Sequence, residues 1–106
     1  MIIDFHTHAF PDPVAQYAIP TLEQKAGVVA AGNGTVDDLR ASMDRSGVDR
    51  SVVCPIATRV DQVPSINRWA LGLRDGRLIP FGTLFPGMDD PRSEVQIGRA
   101  SCRERV

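Results

Sequence analysis

Three short apolar runs, separated by two stretches of helical periodicity, constrain this chain most. Residues 1–5 are apolar except for Asp4, residues 51–54 read Ser-Val-Val-Cys, and residues 78–84 run from Leu78 to Leu84 around Pro80. Each suits a strand, and the first reads as a strand buried in a parallel sheet. Thr35 opens a helix between the first two runs. It is a hydroxyl cap followed by Asp37 and Asp38, where the helix dipole favours acids; Val36, Leu39 and Met43 share a face, and Gly47 is the left-handed stop. A second helix is expected from residue 61 or 62 to residue 74, with Pro64 in its first turn and Ile66, Trp69, Ala70 and Leu73 on one apolar face; Gly76 ends it. Asp90 and Pro91 then read as a cap and a first helical position. The order β-α-β-α-β-(α) calls for parallel strands with right-handed crossovers.

One long insert interrupts this alternation. Residues 10 to about 34 begin with Pro11, Pro13 and Pro20 and close on Gly32-Asn33-Gly34. Two short helices are expected within it, over 13–17 and 21–30. Because the insert follows the first strand directly, it is placed to line or cover whatever that strand's end binds.

That strand end carries the chemistry. In Asp4-Phe5-His6-Thr7-His8 the side chains alternate faces, so His6 and His8 point the same way with Asp4 beneath them. Two imidazoles converging at a strand end can share one transition metal. They are the only two histidines in the chain, so any further ligands lie elsewhere. Asp4 reads equally as a carboxylate that orients a histidine and as a strand-end group bonded to backbone. Arg59, after the second strand, reads either as a clamp for a substrate carboxylate or as a solvated loop arginine, and Thr58 beside it is weaker still. Trp69 is expected to pack in the core and Cys54 to be a small hydrophobe inside a strand. Asp37, Asp38, Asp44 and Asp49 read as helix-dipole partners and a solvated face.

Composition narrows the class. The 106 residues are 42% apolar, enough for one small domain with a core. A net charge of -1 makes no case for a nucleic-acid partner. No apolar run approaches the roughly 20 residues that cross a bilayer. The start lacks a basic leader, so no signal peptide is expected. Cys54 and Cys102 make no disulfide framework, and a cytoplasmic location is the default expectation.

The last ten residues, Ile97-Gly98-Arg99-Ala100-Ser101-Cys102-Arg103-Glu104-Arg105-Val106, carry neither helical nor strand periodicity. They resemble the in-frame translation of a common short-read sequencing adapter joined at Gln96. The organisation expected is therefore 1–96 as a partial domain and 97–106 as a non-native tail, the other reading being a genuine basic tail. Without that tail three arginines and one glutamate are lost, leaving nine basic and twelve acidic residues and a charge of -3.

Several segments together resemble one family. Ile3-Asp4-Phe5-His6-Thr7-His8-Ala9-Phe10-Pro11 is similar to the opening strand and loop of the amidohydrolase superfamily. More narrowly, it is similar to the amidohydrolase-2 group, the relatives of aminocarboxymuconate-semialdehyde decarboxylase. The stretch from Leu39 through Met43-Asp44-Arg45-Ser46-Gly47-Val48-Asp49-Arg50-Ser51-Val52-Val53 resembles that group's first long helix and second strand. Asp61-Gln62-Val63 through Asn67-Arg68-Trp69-Ala70, and Phe81-Gly82-Thr83-Leu84, resemble its next helix and third strand. Phe85 departs from the pattern, standing where close relatives carry a histidine.

The resemblance implies the first three β/α units of a truncated, metal-dependent (β/α)8 TIM barrel. It implies His6 and His8 as ligands of a divalent metal, usually zinc, at the C-terminal strand ends where such barrels hold their sites. The remaining ligands and a proton-handling aspartate would stand on later strands. The implied activity is hydrolysis or non-oxidative decarboxylation of a small organic acid or amide, through a metal-activated water or metal-bound substrate. The fragment itself is expected to be inactive and, with bare sheet edges, to fold poorly or aggregate. Family members are often dimers, so a homodimer is open to the whole protein. A phosphoesterase or TatD-like nuclease barrel also begins with His-x-His, but no phosphate-binding loop or basic patch supports it here. A non-catalytic small α/β binding module is the rival from another class.

Overall fold

The structure, a computed structural model, describes the backbone of residues 1–104 and the side chains of residues 1–99. Three strands form one sheet in the order β1-β2-β3: β1 (Ile3–Thr7), β2 (Arg50–Val53) and β3 (Leu78–Pro80). Both pairings are parallel, as alternation with helices requires. The helices are α1 (Asp12–Ala26), α2 (Val36–Ser46), α3 (Val63–Leu71) and α4 (Pro91–Glu104), with a 3-10 turn at Val60–Gln62 before α3. The result is a mixed α/β domain of four helices and a small parallel sheet.

Local chemistry accounts for α2. The Thr35 hydroxyl accepts from the Asp38 amide at 3.2 Å, and Gly47 closes the helix at φ 69°, its amide donating to the Met43 carbonyl. Met43 brings the helix onto the sheet, in a core cluster with Ala9, Val53 and Leu78. Trp69, on α3, and Leu73, two residues past its end, both pack against the same cluster.

The insert differs from expectation. One helix, α1, replaces the two short ones and runs through Pro20 to Ala26. Proline in a helix interior removes one hydrogen bond and crowds the preceding turn. Here tertiary packing outweighs that cost: Ala15 and Ala18 are buried against Phe10, with Val14, Ile19, Leu22 and Ile56 around them. The Thr21 hydroxyl also donates to the Tyr17 carbonyl at 2.8 Å, within the interrupted turn. Gly27 ends the helix in the left-handed conformation at φ 67°, four residues short of the expected end.

Three boundaries also move. The helix expected to reach residue 74 ends at Leu71, because the amides of Gly72, Leu73 and Arg74 turn to carbonyls three residues back and tighten the last turn. β3 stops at Pro80 instead of residue 84. Phe81 makes the last contact to β2, donating to the Val53 carbonyl at 2.9 Å. Thr83 is then claimed by a side chain: Asn67 accepts from its amide at 2.7 Å and donates to its carbonyl at 3.0 Å. The segment read as lacking helical periodicity belongs to α4, which passes through residue 97 to Glu104. Asp90 accepts from the Ser93 amide at its start, and Arg99, Ala100, Arg103 and Glu104 are good helix formers. The Cys102 side chain and residues 105 and 106, part of the tail expectation, lie outside the described residues.

The first strand is not buried as expected. β1 lies at a sheet edge, and Ile3 and Phe5 are 38% and 69% exposed. A parallel strand is buried only with neighbours on both sides and cover on both faces. β1 has β2 on one side alone. Cys54, likewise expected inside a buried strand, is half-buried just past the end of β2.

Asp75 organises the turn into β3. Its carboxylate accepts from the amides of Arg77 and Leu78 and pairs with Arg40 at 2.7 Å. The two amides chiefly, with Arg40, hold its pKa down to about 2. A carboxylate depressed in the folded state stabilises it above the unfolded value, and that stabilisation fades as pH falls. Asp75→Ala is therefore expected to lower unfolding free energy by about 1–2 kcal/mol at neutral pH. In urea titrations the gap from the parent chain should shrink between pH 4 and pH 2.

Candidate metal centre

Parallel pairing brings the ends of β1 and β2 together, and this builds the site. The Cys54 amide donates to the Thr7 carbonyl at 2.8 Å, and the Thr7 hydroxyl donates to the Val52 carbonyl at 2.7 Å. Thr7 is thereby clamped to β2, leaving His6 and His8 on either side of it at the open end. Their Nε2 atoms lie 3.1 Å apart, and the rings meet edge to face at 78° with centroids 4.8 Å apart. Both side chains are exposed.

The hydrogen bonds set the tautomers. Nδ1 of His8 lies 2.8 Å from the Cys54 carbonyl oxygen. A carbonyl can only accept, so Nδ1 carries the proton and Nε2 of His8 presents its lone pair. A metal-ligating histidine is usually braced in this way through its other nitrogen. Facing that lone pair, Nε2 of His6 is the donor in the metal-free pair. It must pass its proton to its own Nδ1 to ligate. Two nitrogens each about 2.0–2.1 Å from one ion, in tetrahedral array, lie about 3.3 Å apart. The observed separation is close to that of two ligands on one ion.

Asp4 takes the second of its two expected roles, a strand-end carboxylate bonded to backbone. Asp4 pairs with Ser51 and Thr7 with Val53, three residues on β1 against two on β2. This irregularity interrupts the alternation, so strand periodicity does not carry from Asp4 to the histidines. The Asp4 carboxylate accepts from the backbone amide of His6 at 3.0 Å. It holds the main chain under the first imidazole and makes no hydrogen bond to a ring among the described residues. Arg59, in the loop after β2, pairs with Asp61 at 3.2 Å, both side chains well exposed. The acids assigned to helix ends and surface have partners of their own: Asp38 accepts from the Asn33 amide, Asp49 from the Ile2 amide, and Asp44 pairs with Arg77.

The Cys54 carbonyl has no separate signal in the sequence. It follows only from the register that sets β2 beside β1. Among the described residues, no group of three or more His, Cys, Asp or Glu converges on a metal position. The insert does reach the site. An open apolar cavity of about 640 Å³ lies between α1, the following loop and α2, lined by His8, Phe10, Ile19, Leu22, Val28 and Leu39 among others. No helix of the described residues is long and apolar enough to cross a membrane.

The class these features define is a small mixed α/β domain with a parallel sheet and an exposed histidine pair at its strand ends. Comparison with known protein families, curated proteins and solved structures finds no match for this chain.

Proposed function

We propose that this chain is the N-terminal part of a metal-dependent amidohydrolase-type enzyme built on a (β/α)8 barrel. The intact protein would hydrolyse or decarboxylate a small organic acid or amide. The observation that carries this reading is the approach of His6 and His8 Nε2 to 3.1 Å at the C-terminal end of a parallel strand, with His8 braced by the Cys54 carbonyl. In barrels of parallel strands that end is where sites are built. A divalent ion, zinc by preference for imidazole ligands, supplies Lewis acidity there when bound.

The residues of this chain have separate parts in that scheme. His6 and His8 hold the ion. The Cys54 carbonyl fixes the His8 tautomer, and the Asp4 carboxylate fixes the backbone beneath His6. The open apolar cavity beside His8 receives the hydrocarbon part of the substrate. Arg59 stands in the loop after β2, on the same end of the sheet, free to leave Asp61 for a substrate carboxylate. With two imidazoles where a catalytic zinc takes about three protein ligands, the chain has no turnover alone.

Reading the gene past the codon for Gln96 tests this. Continuation into further β/α units with more histidines and a late aspartate, giving a zinc-dependent hydrolase or decarboxylase on expression, is the expected result. Residues 97–106 followed by a stop codon would overturn the reading.

A further inference from the structure

We propose that in the isolated chain the His6–His8 pair is one half of a four-imidazole metal site, and that the same pair of a second copy supplies the other half. This rests on the reading of His6 and His8 as metal ligands. The two Nε2 atoms are spaced for one ion, and the described residues bring up no third ligand group. A transition metal in an imidazole site completes about four positions, with protein groups or with solvent. A second imidazole pair fills the two open positions with ligands far better than water for zinc.

The surroundings permit the approach. Both rings are exposed, and they stand at the end of β1, which has a neighbour on one side only. On the same strand Phe5, next to His6 in sequence, is 69% exposed. The geometry selects a second copy over a different protein because one exposed pair needs only its own duplicate to give a closed, symmetric set of four nitrogens.

The test is zinc sulfate titrated into the full 106-residue chain, with molar mass followed by light scattering and bound zinc by a chromogenic competitor. The expected result is an end point at half an equivalent of zinc, a doubling of mass at that point, and return to monomer with EDTA. His6→Ala and His8→Ala should stay monomeric in zinc, with circular dichroism unchanged because both side chains are exposed. Binding of one zinc per chain with no change in mass would overturn the shared site and leave the metal-ligand reading standing. Absence of zinc binding would overturn both. A dimer that forms without zinc and survives EDTA would place the association on apolar surface alone and overturn the inference.

Discussion

His8→Ala lowers the affinity of the chain for zinc by at least about a hundredfold, measured by competition with a chromogenic zinc indicator. The size follows from the geometry. Loss of a group that merely orients a metal-bound histidine costs about 10–100-fold. Loss of the ligand itself, from a chain offering two, costs no less. His8 is the better organised of the pair, since the Cys54 carbonyl already sets its tautomer with the lone pair outward. His6→Ala has a similar effect through the same shared ion, despite a ring held only by its neighbour. Helical content stays the same in both variants, because neither side chain is part of the buried core. An affinity within threefold of the parent chain would show that the pair is not a metal site.

Phe10→Ala costs about 3–5 kcal/mol of stability, the range for emptying a buried aromatic position. Phe10 is 2% exposed and sits two residues past His8, where the chain turns from the sheet into the insert. Its ring is the centre on which Ala15 and Ala18 pack, and its amide donates to the Gly34 carbonyl at 2.8 Å. Little can replace it. Gly34, at φ 82°, lies so close that an added Cβ would stand 2.7 Å from Ile19 and 3.4 Å from Phe10. The loss is comparable to the whole stability of many small domains, about 5–15 kcal/mol. A domain with this much exposed apolar surface belongs at the low end. The variant should therefore be largely unfolded by circular dichroism at 25 °C, and a urea midpoint close to that of the parent chain would contradict this packing account.

The parts of the fold that rest on local chemistry are legible in the sequence. The Thr35 cap, the Gly47 stop, the Asp90–Pro91 helix start and the apolar face of Trp69 each depend on residues a few positions apart. Parallel pairing is legible too, because alternating strands and helices leave little other choice. What depends on tertiary context is not. Pro20 reads locally as a break, and only the burial of Ala15 and Ala18 on Phe10 carries α1 across it. Residues 81–84 read as strand, yet β2 has ended by then and the Asn67 amide takes over the pairing. β1 reads as buried because its composition is apolar, but composition does not report whether a covering neighbour is present.

The candidate site divides along the same line. A period of two along a strand predicts the convergence of His6 and His8, although His8 itself lies just past the end of β1. That period does not predict the register irregularity that separates Asp4 from them, since it arises from the pairing of β1 with β2. Nor does it predict the brace on His8, because a backbone carbonyl has no sequence signature.

The most direct measurement is the nitrogen-15 spectrum of the two histidine rings, in selectively labelled chain, before and after zinc. If His6 and His8 hold one ion together, Nε2 of both rings shifts together on binding while Nδ1 of both carries the proton. For His6 that is a change of tautomer. If only one ring responds, if Nδ1 of His8 is the atom that shifts, or if neither ring changes, the pair is not a shared metal site, and the enzyme reading built on it fails.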